Sequence, residues 1–227
     1  MTRPWIFVPA ILATLCLAPA GAGAVELTVP EGFTALFNGQ DLTNWQGLIE
    51  LPQRNKLAAD QEKLAAAQKA ANERILPHWT AAEGGVLHYD GKANSLQTAK
   101  DYRDFELRVD YKIGPHGDSG IYLRGCPQVQ IWDPADHPEG SGGLYNNQKH
   151  ASKPLKCADR PAGEWNRLQI IMRGDRVTVW LNNELVTDYV VMENYWDRTQ
   201  PIPASGPIEL QHNGNPLEFR NIFIKEL

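Results

Sequence analysis

The chain has 227 residues and a net charge of −5, with acidic and basic side chains interspersed along it. That balance excludes the basic footprint of a nucleic-acid binder or of a protein held to anionic membranes. The length suits one large β domain with a sizeable core.

The chain opens with Met1-Thr2-Arg3, an apolar stretch from Trp5 to Leu17, and the small residues Ala22-Gly23-Ala24. This order of basic start, hydrophobic middle and small-residue exit predicts a secretory signal peptide over 1–24, leaving 25–227 as a single domain in the periplasm or outside the cell. The apolar run is shorter than the roughly 20 residues that span a bilayer, so no membrane span is expected. Cys16 follows Ala13-Thr14-Leu15, which is not the setting of a lipid-attachment cysteine.

Asn55 to Leu76 is rich in Ala, Lys, Glu and Gln, and places Leu57, Leu64, Ala71 and Ile75 near one helical face. The spacing predicts one inserted helix, about 30 Å long, lying on the domain by a narrow apolar stripe. It serves either as a structural prop or as a lid beside a cleft.

Beyond it the pattern has period two. Asp104 to Ile113 alternates charge with hydrophobe and ends at Gly114-Pro115-His116-Gly117. Gly120 to Arg124 sets Ile121 and Leu123 against Tyr122 and Arg124; Gln128 to Trp132 sets Val129 and Ile131 against Gln128, Gln130 and Trp132. Three further strands, 166–172, 176–181 and 184–191, are joined by Gly174-Asp175 and Asn182-Asn183, dipeptides suited to tight hairpins with positive φ. Strands at 207–211 and 217–225 flank the turn Asn213-Gly214-Asn215-Pro216. Many short strands without alternating helices predict an all-β jelly-roll sandwich of two antiparallel sheets. Cys126 and Cys157 would remain after signal removal; they are read as a disulfide closing a loop of about 30 residues, with two free thiols as the alternative.

The run Gly32-Phe33-Thr34-Ala35-Leu36-Phe37-Asn38-Gly39 to Trp45 resembles the opening of the DUF1080 family of 3-keto-disaccharide hydrolases, or 3-keto-glucoside 1,2-lyases with associated hydratases. The resemblance continues through Asp118 to Gly125, Val129-Gln130-Ile131-Trp132-Asp133, Gly163-Glu164-Trp165-Asn166, Gly206 to Gly214, and Phe219-Arg220-Asn221-Ile222. It implies a concanavalin A-like sandwich that acts on an oxidised oligosaccharide or glycoside. The helical insertion and the loop Gly140 to His150 look like features of a subgroup.

A keto group at C3 acidifies the C2 proton. Such chemistry needs a base near C2, an acid near the leaving oxygen and donors for the enolate. His212, at a strand end beside a glycine turn, is the leading acid/base candidate. Glu209 and Gln211 share the face opposite Ile208 and Leu210, where the carboxylate would be a base, a metal ligand or half of an ion pair. Arg124 would fork onto a sugar hydroxyl or the enolate, or pair with Glu209 or Asp110. Tyr122 lies on the same predicted face, and Asp118 at the mouth of the strand. Gln130 and Trp132 suit a pyranose, an amide bonding hydroxyls and an indole stacking on the ring. Asp133 acts on the ligand or caps a turn, and the loop delivers Asn146, Lys149 and His150. Asp118, Asp133, Glu209 and His212 offer ligands to a divalent metal, without a compact motif. No phosphate-binding glycine loop opens a helix, so a separate oxidoreductase would have to supply the 3-keto substrate. The competing readings are a glucanase-type hydrolase, although no E-x-D-x-x-E strand is present, and a lectin-like binding module.

Overall fold

The computed structural model describes residues 27–227, so the predicted signal peptide lies outside the described residues. In chain order the elements are β1 (Thr34–Ala35), β2 (Trp45–Gly47), α1 (Leu51–Leu57), α2 (Gln61–Ile75), a 3-10 turn at Leu76–His78, β3 (Trp79–Ala82), β4 (Val86–Tyr89) and β5 (Leu96–Thr98). Then follow β6 (Phe105–Ile113), β7 (Asp118–Leu123), β8 (Cys126–Trp132), β9 (Asn166–Arg173), β10 (Arg176–Leu181), β11 (Glu184–Val191), β12 (Glu209–Leu210) and β13 (Leu217–Glu226). The larger sheet runs β11-β10-β9-β6-β13-β4-β3, with β1 also on β13, and the smaller runs β2-β5-β12-β7-β8. Every ladder is antiparallel, and the fold is the expected jelly-roll sandwich.

The alternation read from the sequence is what buries the core. Leu107 and Val109 of β6, Leu168 and Ile170 of β9, and Val177 and Val179 of β10 are fully buried. From the smaller sheet they meet Ile121, Leu123, Val129, Ile131 and Leu210, also fully buried. Each such side chain contributes roughly 1.5–3 kcal/mol through removal from water. The Asn182-Asn183 hairpin has positive φ at both residues, as its composition requires.

The insertion is two helices rather than one. The break falls at 58–60, where the Asp60 carboxylate accepts the Lys63 N–H at 3.0 Å and caps α2. Ala71 and Ile75 are buried as predicted, and Leu64 packs against the core. The helix is a prop on edge strand β2. Gly47 N–H donates to Asn72 Oδ1 at 2.8 Å, and Gln68 Nε2 donates to Gly47 O at 2.8 Å. These bonds satisfy backbone groups that a free edge would expose. A Cβ at Gly47 would lie 2.6 Å from Ala71 O, so only glycine permits the approach. At the other edge, Gly142 and Gly143 pair with the backbone of Gln130.

The expected disulfide is not formed. Cys126 is a buried free thiol at the start of β8, whereas Cys157 is exposed. Gly140 packs on Cys157 and also accepts the indole N–H of Trp132, at the far end of β8. Cys126 therefore starts a strand of seven residues, roughly 20 Å long, whose opposite end lies nearer Cys157.

Candidate active site

The outward face of the smaller sheet gathers Asp118, Tyr122, Gln130, Glu209, Gln211 and His212 around β12. Ile208 and Leu210 point into the core, which turns Glu209 to the opposite face. The register sets Gln97 of β5 on one side of Glu209 and Tyr122 of β7 on the other. Cross-strand neighbours stand about 5 Å apart at Cβ, so these three side chains form one row. One step along, Gln211 N–H donates to Gly120 O at 2.9 Å. A Cβ on Gly120 would come within 2.9 Å of Gln128 Cδ and 3.0 Å of Gln211 Oε1, so the glycine makes room for two amides.

Burial sets the protonation states. The Glu209 carboxyl, 3% exposed, is pushed up to about 8 by desolvation; the Ser95 hydroxyl opposes the shift and the Glu50 carboxylate adds to it. It is therefore largely protonated at neutral pH. The His212 imidazole moves the other way, lowered by burial against the pull of Glu50, and so is neutral at pH 7. Its Nδ1 lies 3.0 Å from Ser95 Oγ, and its backbone N–H donates to the same oxygen at 3.1 Å. Ser95 thus ties the imidazole to the floor beside Glu209. Burial, reinforced by Glu209, keeps the Tyr122 phenol protonated and available as a donor. Asp118 is raised by burial, although its carboxylate accepts from Gln130 Nε2 at 2.7 Å. Both polar atoms of the buried Gln97 amide, and Oε1 of Gln211, lack a protein partner. An unsatisfied buried amide costs about 1–3 kcal/mol, so these atoms are unmet hydrogen-bonding capacity on the polar face.

Several predicted residues go elsewhere. Arg124 is not on this face. It sits past the end of β7 in a two-residue hairpin, with φ of 54° followed by 73° at Gly125, and this turn swings its side chain away from Tyr122. The buried guanidinium donates to Arg103 O at 2.6 Å, Pro203 O at 3.1 Å and Asp104 Oδ1 at 2.7 Å, so it pairs with neither Glu209 nor Asp110. Trp132 is 6% exposed, stacks on His137 with centroids 4.0 Å apart, and donates to Gly140 O, leaving no open ring face for a pyranose. Gln130 faces the site but is consumed by Asp118 and Gln128, so it positions Asp118. Asp133 caps a turn, accepting from the N–H groups of His116 and Ala135 at 2.9 and 3.0 Å.

The glycine-rich loop is anchored to a different carboxylate. Glu193 accepts the N–H groups of Gln148, Lys149 and His150 and an Arg198 Nη1 bond at 2.9 Å. Burial raises this carboxyl, but the backbone donors from His150, Gln148 and Lys149 outweigh it and hold it at about 2. Lys149 and His150 are thus exposed parts of a loop clamp, and Asn146 gives its carbonyl to Arg198 at 2.7 Å. Nor do the four proposed metal ligands converge. Asp133 instead lies with His116 and Asp136, whose donor atoms fall within 4.8 Å of one another, away from Glu209 and His212.

Three residues of the site escaped the sequence reading: Ser95, Gln97 and Glu50. The first two lie at and just before a three-residue strand, too short for its alternation to register. Glu50 precedes α1 at a junction with no periodic signal. Tyr195, exposed and near enough to Tyr122 to influence it, stands on the rim, and Trp196 packs the corner by donating to Gly125 O at 2.8 Å.

The class is that of carbohydrate-acting hydrolases built on a jelly-roll sandwich. Within it, the chain belongs to the family of the 3-keto-alpha-glucoside-1,2-lyase-like domain, whose profile matches residues 32–225. A protein named 3-keto-disaccharide hydrolase from Bacteroides thetaiotaomicron is 23% identical over 268 aligned positions, covering 93% of this chain and 84% of the relative. A crystal structure of a candidate glycosyl hydrolase from Parabacteroides distasonis ATCC 8503 superposes with a TM-score of 0.65 at 25% identity, covering 87% of this chain and 85% of that one. A second from the same organism gives 0.62 at 22%, over 87% and 94%.

Proposed function

We propose that the protein cleaves the glycosidic bond of 3-keto-glycosides by elimination, with water addition completing a net hydrolysis. The observation that carries this reading is the pairing, across Ser95, of a protonated Glu209 with a neutral His212 on one polar sheet face. A neutral imidazole accepts the acidified C2 proton, and the electron pair of the broken C2–H bond, held first in the C3 enolate, forms the C1–C2 double bond as the C1–O bond breaks. The departing oxygen takes the proton of Glu209. The Tyr122 hydroxyl and the Gln97 amide donate to the enolate oxygen as charge develops there. Water then adds at C1 of the resulting enone, giving one proton to the Glu209 carboxylate while the His212 imidazolium returns its proton to C2, which yields the 3-keto sugar and restores both groups.

The amino-terminal pattern supports export to the periplasm or beyond, and the chemistry requires a separate oxidoreductase to install the keto group. The direct test is to incubate the protein with a 3-keto-disaccharide and follow release of the second sugar. Release lost on His212→Ala and on Glu209→Gln supports the reading. Cleavage of an unoxidised glucoside instead would point to paired carboxylates of the glucanase type, with Glu50 or Asp118 partnering Glu209. Binding without turnover on either substrate would leave a lectin-like module.

A further inference from the structure

A concavity of about 510 Å3 lies on the outward face of the larger sheet, on the side of the sandwich opposite Glu209. None of the residues discussed for catalysis lines it. The alternation that buries Leu107 and Val109 turns Arg108 and Asp110 outward, and the register completes two rows. Trp180, Gln169, Arg108 and Phe223 align across β10, β9, β6 and β13. Beside them align Arg167, Asp110 and Arg220. With strands about 4.8 Å apart, the first row spans roughly 14 Å, enough for two pyranose rings.

The polar groups of this groove are fixed before any ligand arrives. The Glu106 carboxylate accepts from Arg108 Nε at 2.9 Å and from Gln169 Nε2 at 2.9 Å. Asp110, 4% exposed, accepts from Arg167 Nε at 2.9 Å and Asn221 Nδ2 at 2.8 Å, and Arg220 lies 3.5 Å away. The two arginines that line the groove, Arg108 and Arg167, are each paired with a carboxylate, Glu106 and Asp110, which leaves hydrogen-bonding edges with the charge of the lining balanced, while Arg220, which shares Asp110, lines the neighbouring depression. The half-buried Trp180 supplies an indole beside them. An aromatic wall with rigid planar donors and no net charge is the chemistry of an uncharged sugar.

We propose that this groove is a second saccharide-binding site, which takes an uncharged pyranoside of one or two rings and holds it apart from the Glu209 face. The proposal borrows from the functional reading only the choice of a carbohydrate probe. The test is ligand-observed saturation-transfer NMR on the protein with millimolar maltose and cellobiose. Transfer to at least one disaccharide is expected in the wild type and in Glu209→Gln. Trp180→Ala should weaken that binding tenfold or more, and Gln169→Ala should weaken it severalfold, with circular dichroism and turnover of a 3-keto-disaccharide unchanged in both. The absence of transfer, or transfer equal in wild type, Trp180→Ala and Gln169→Ala, overturns the proposal. Because binding and turnover are read separately, failure of turnover in every protein would sink the catalytic reading and leave this one standing.

Discussion

Replacing Glu209 by Gln should make the protein more stable at alkaline pH while slowing its chemistry by orders of magnitude. The carboxyl moves from 4.5 in the unfolded chain to about 8 in the fold. Between those values the folded state binds more protons than the unfolded one, so stability falls as pH rises through the window. The full loss is about 5 kcal/mol above pH 8, of which about 3 is already present at pH 7. Glutamine keeps the shape and the hydrogen-bonding capacity without a titrating proton, so its variant escapes the loss. Urea denaturation from pH 5 to pH 9 reads the difference directly. The two proteins should be nearly equal at pH 5, and the variant should lead by several kcal/mol at pH 9. His212 works in the opposite sense, its stabilisation being lost as pH falls below 6.5, but it is common to both proteins and cancels in the comparison. Stability curves that stay parallel over the whole range would refute the claim that Glu209 is buried as an acid.

The same protonation states predict a bell-shaped dependence of kcat/KM on pH, with an alkaline limb near 8 from Glu209 and an acid limb below 6.5 from His212. Glu209→Gln should lower kcat by about 10²–10⁴-fold, and a smaller loss would remove it from the acid role. Arg124→Ala should destabilise the fold by about 3 kcal/mol, since it leaves Asp104 and two carbonyls without their buried partner, yet spare kcat/KM where the variant is folded. A large kinetic loss in a stable Arg124 variant would return that residue to the site. Peptide mapping after alkylation without reductant should find Cys157 modified in the native protein and Cys126 only after denaturation; protection of both in denaturant would restore the disulfide.

Legibility of the site followed the length of the alternating pattern around each residue in the sequence rather than the length of the strand that forms, since Glu209 lies on a strand of only two residues but between the apolar Ile208 and Leu210. Tyr122, Gln130 and Glu209 belong to segments whose alternation could be counted, and each points to the face expected of it. Ser95 and Gln97 flank Leu96 in a segment too short to show a period. Arg124 failed for a local reason: alternation was carried one residue beyond the strand, into a left-handed turn where it no longer holds. Trp132 kept its predicted face, but the loop folding over it brought His137 onto its ring.

By itself, the sequence determined the sandwich, its dry faces and most of its hairpins, because period-two burial and positive-φ turns are local properties of neighbouring residues. Only the tertiary structure decided which outward side chains meet. Strand order is not written in any one strand, and it sets Gln97 and Tyr122 beside Glu209, brings Ser95 to His212, and opens a polar groove on the far sheet. Protonation followed from the same packing, since a carboxyl at 4.5 becomes one near 8 only when long-range contacts exclude water from it.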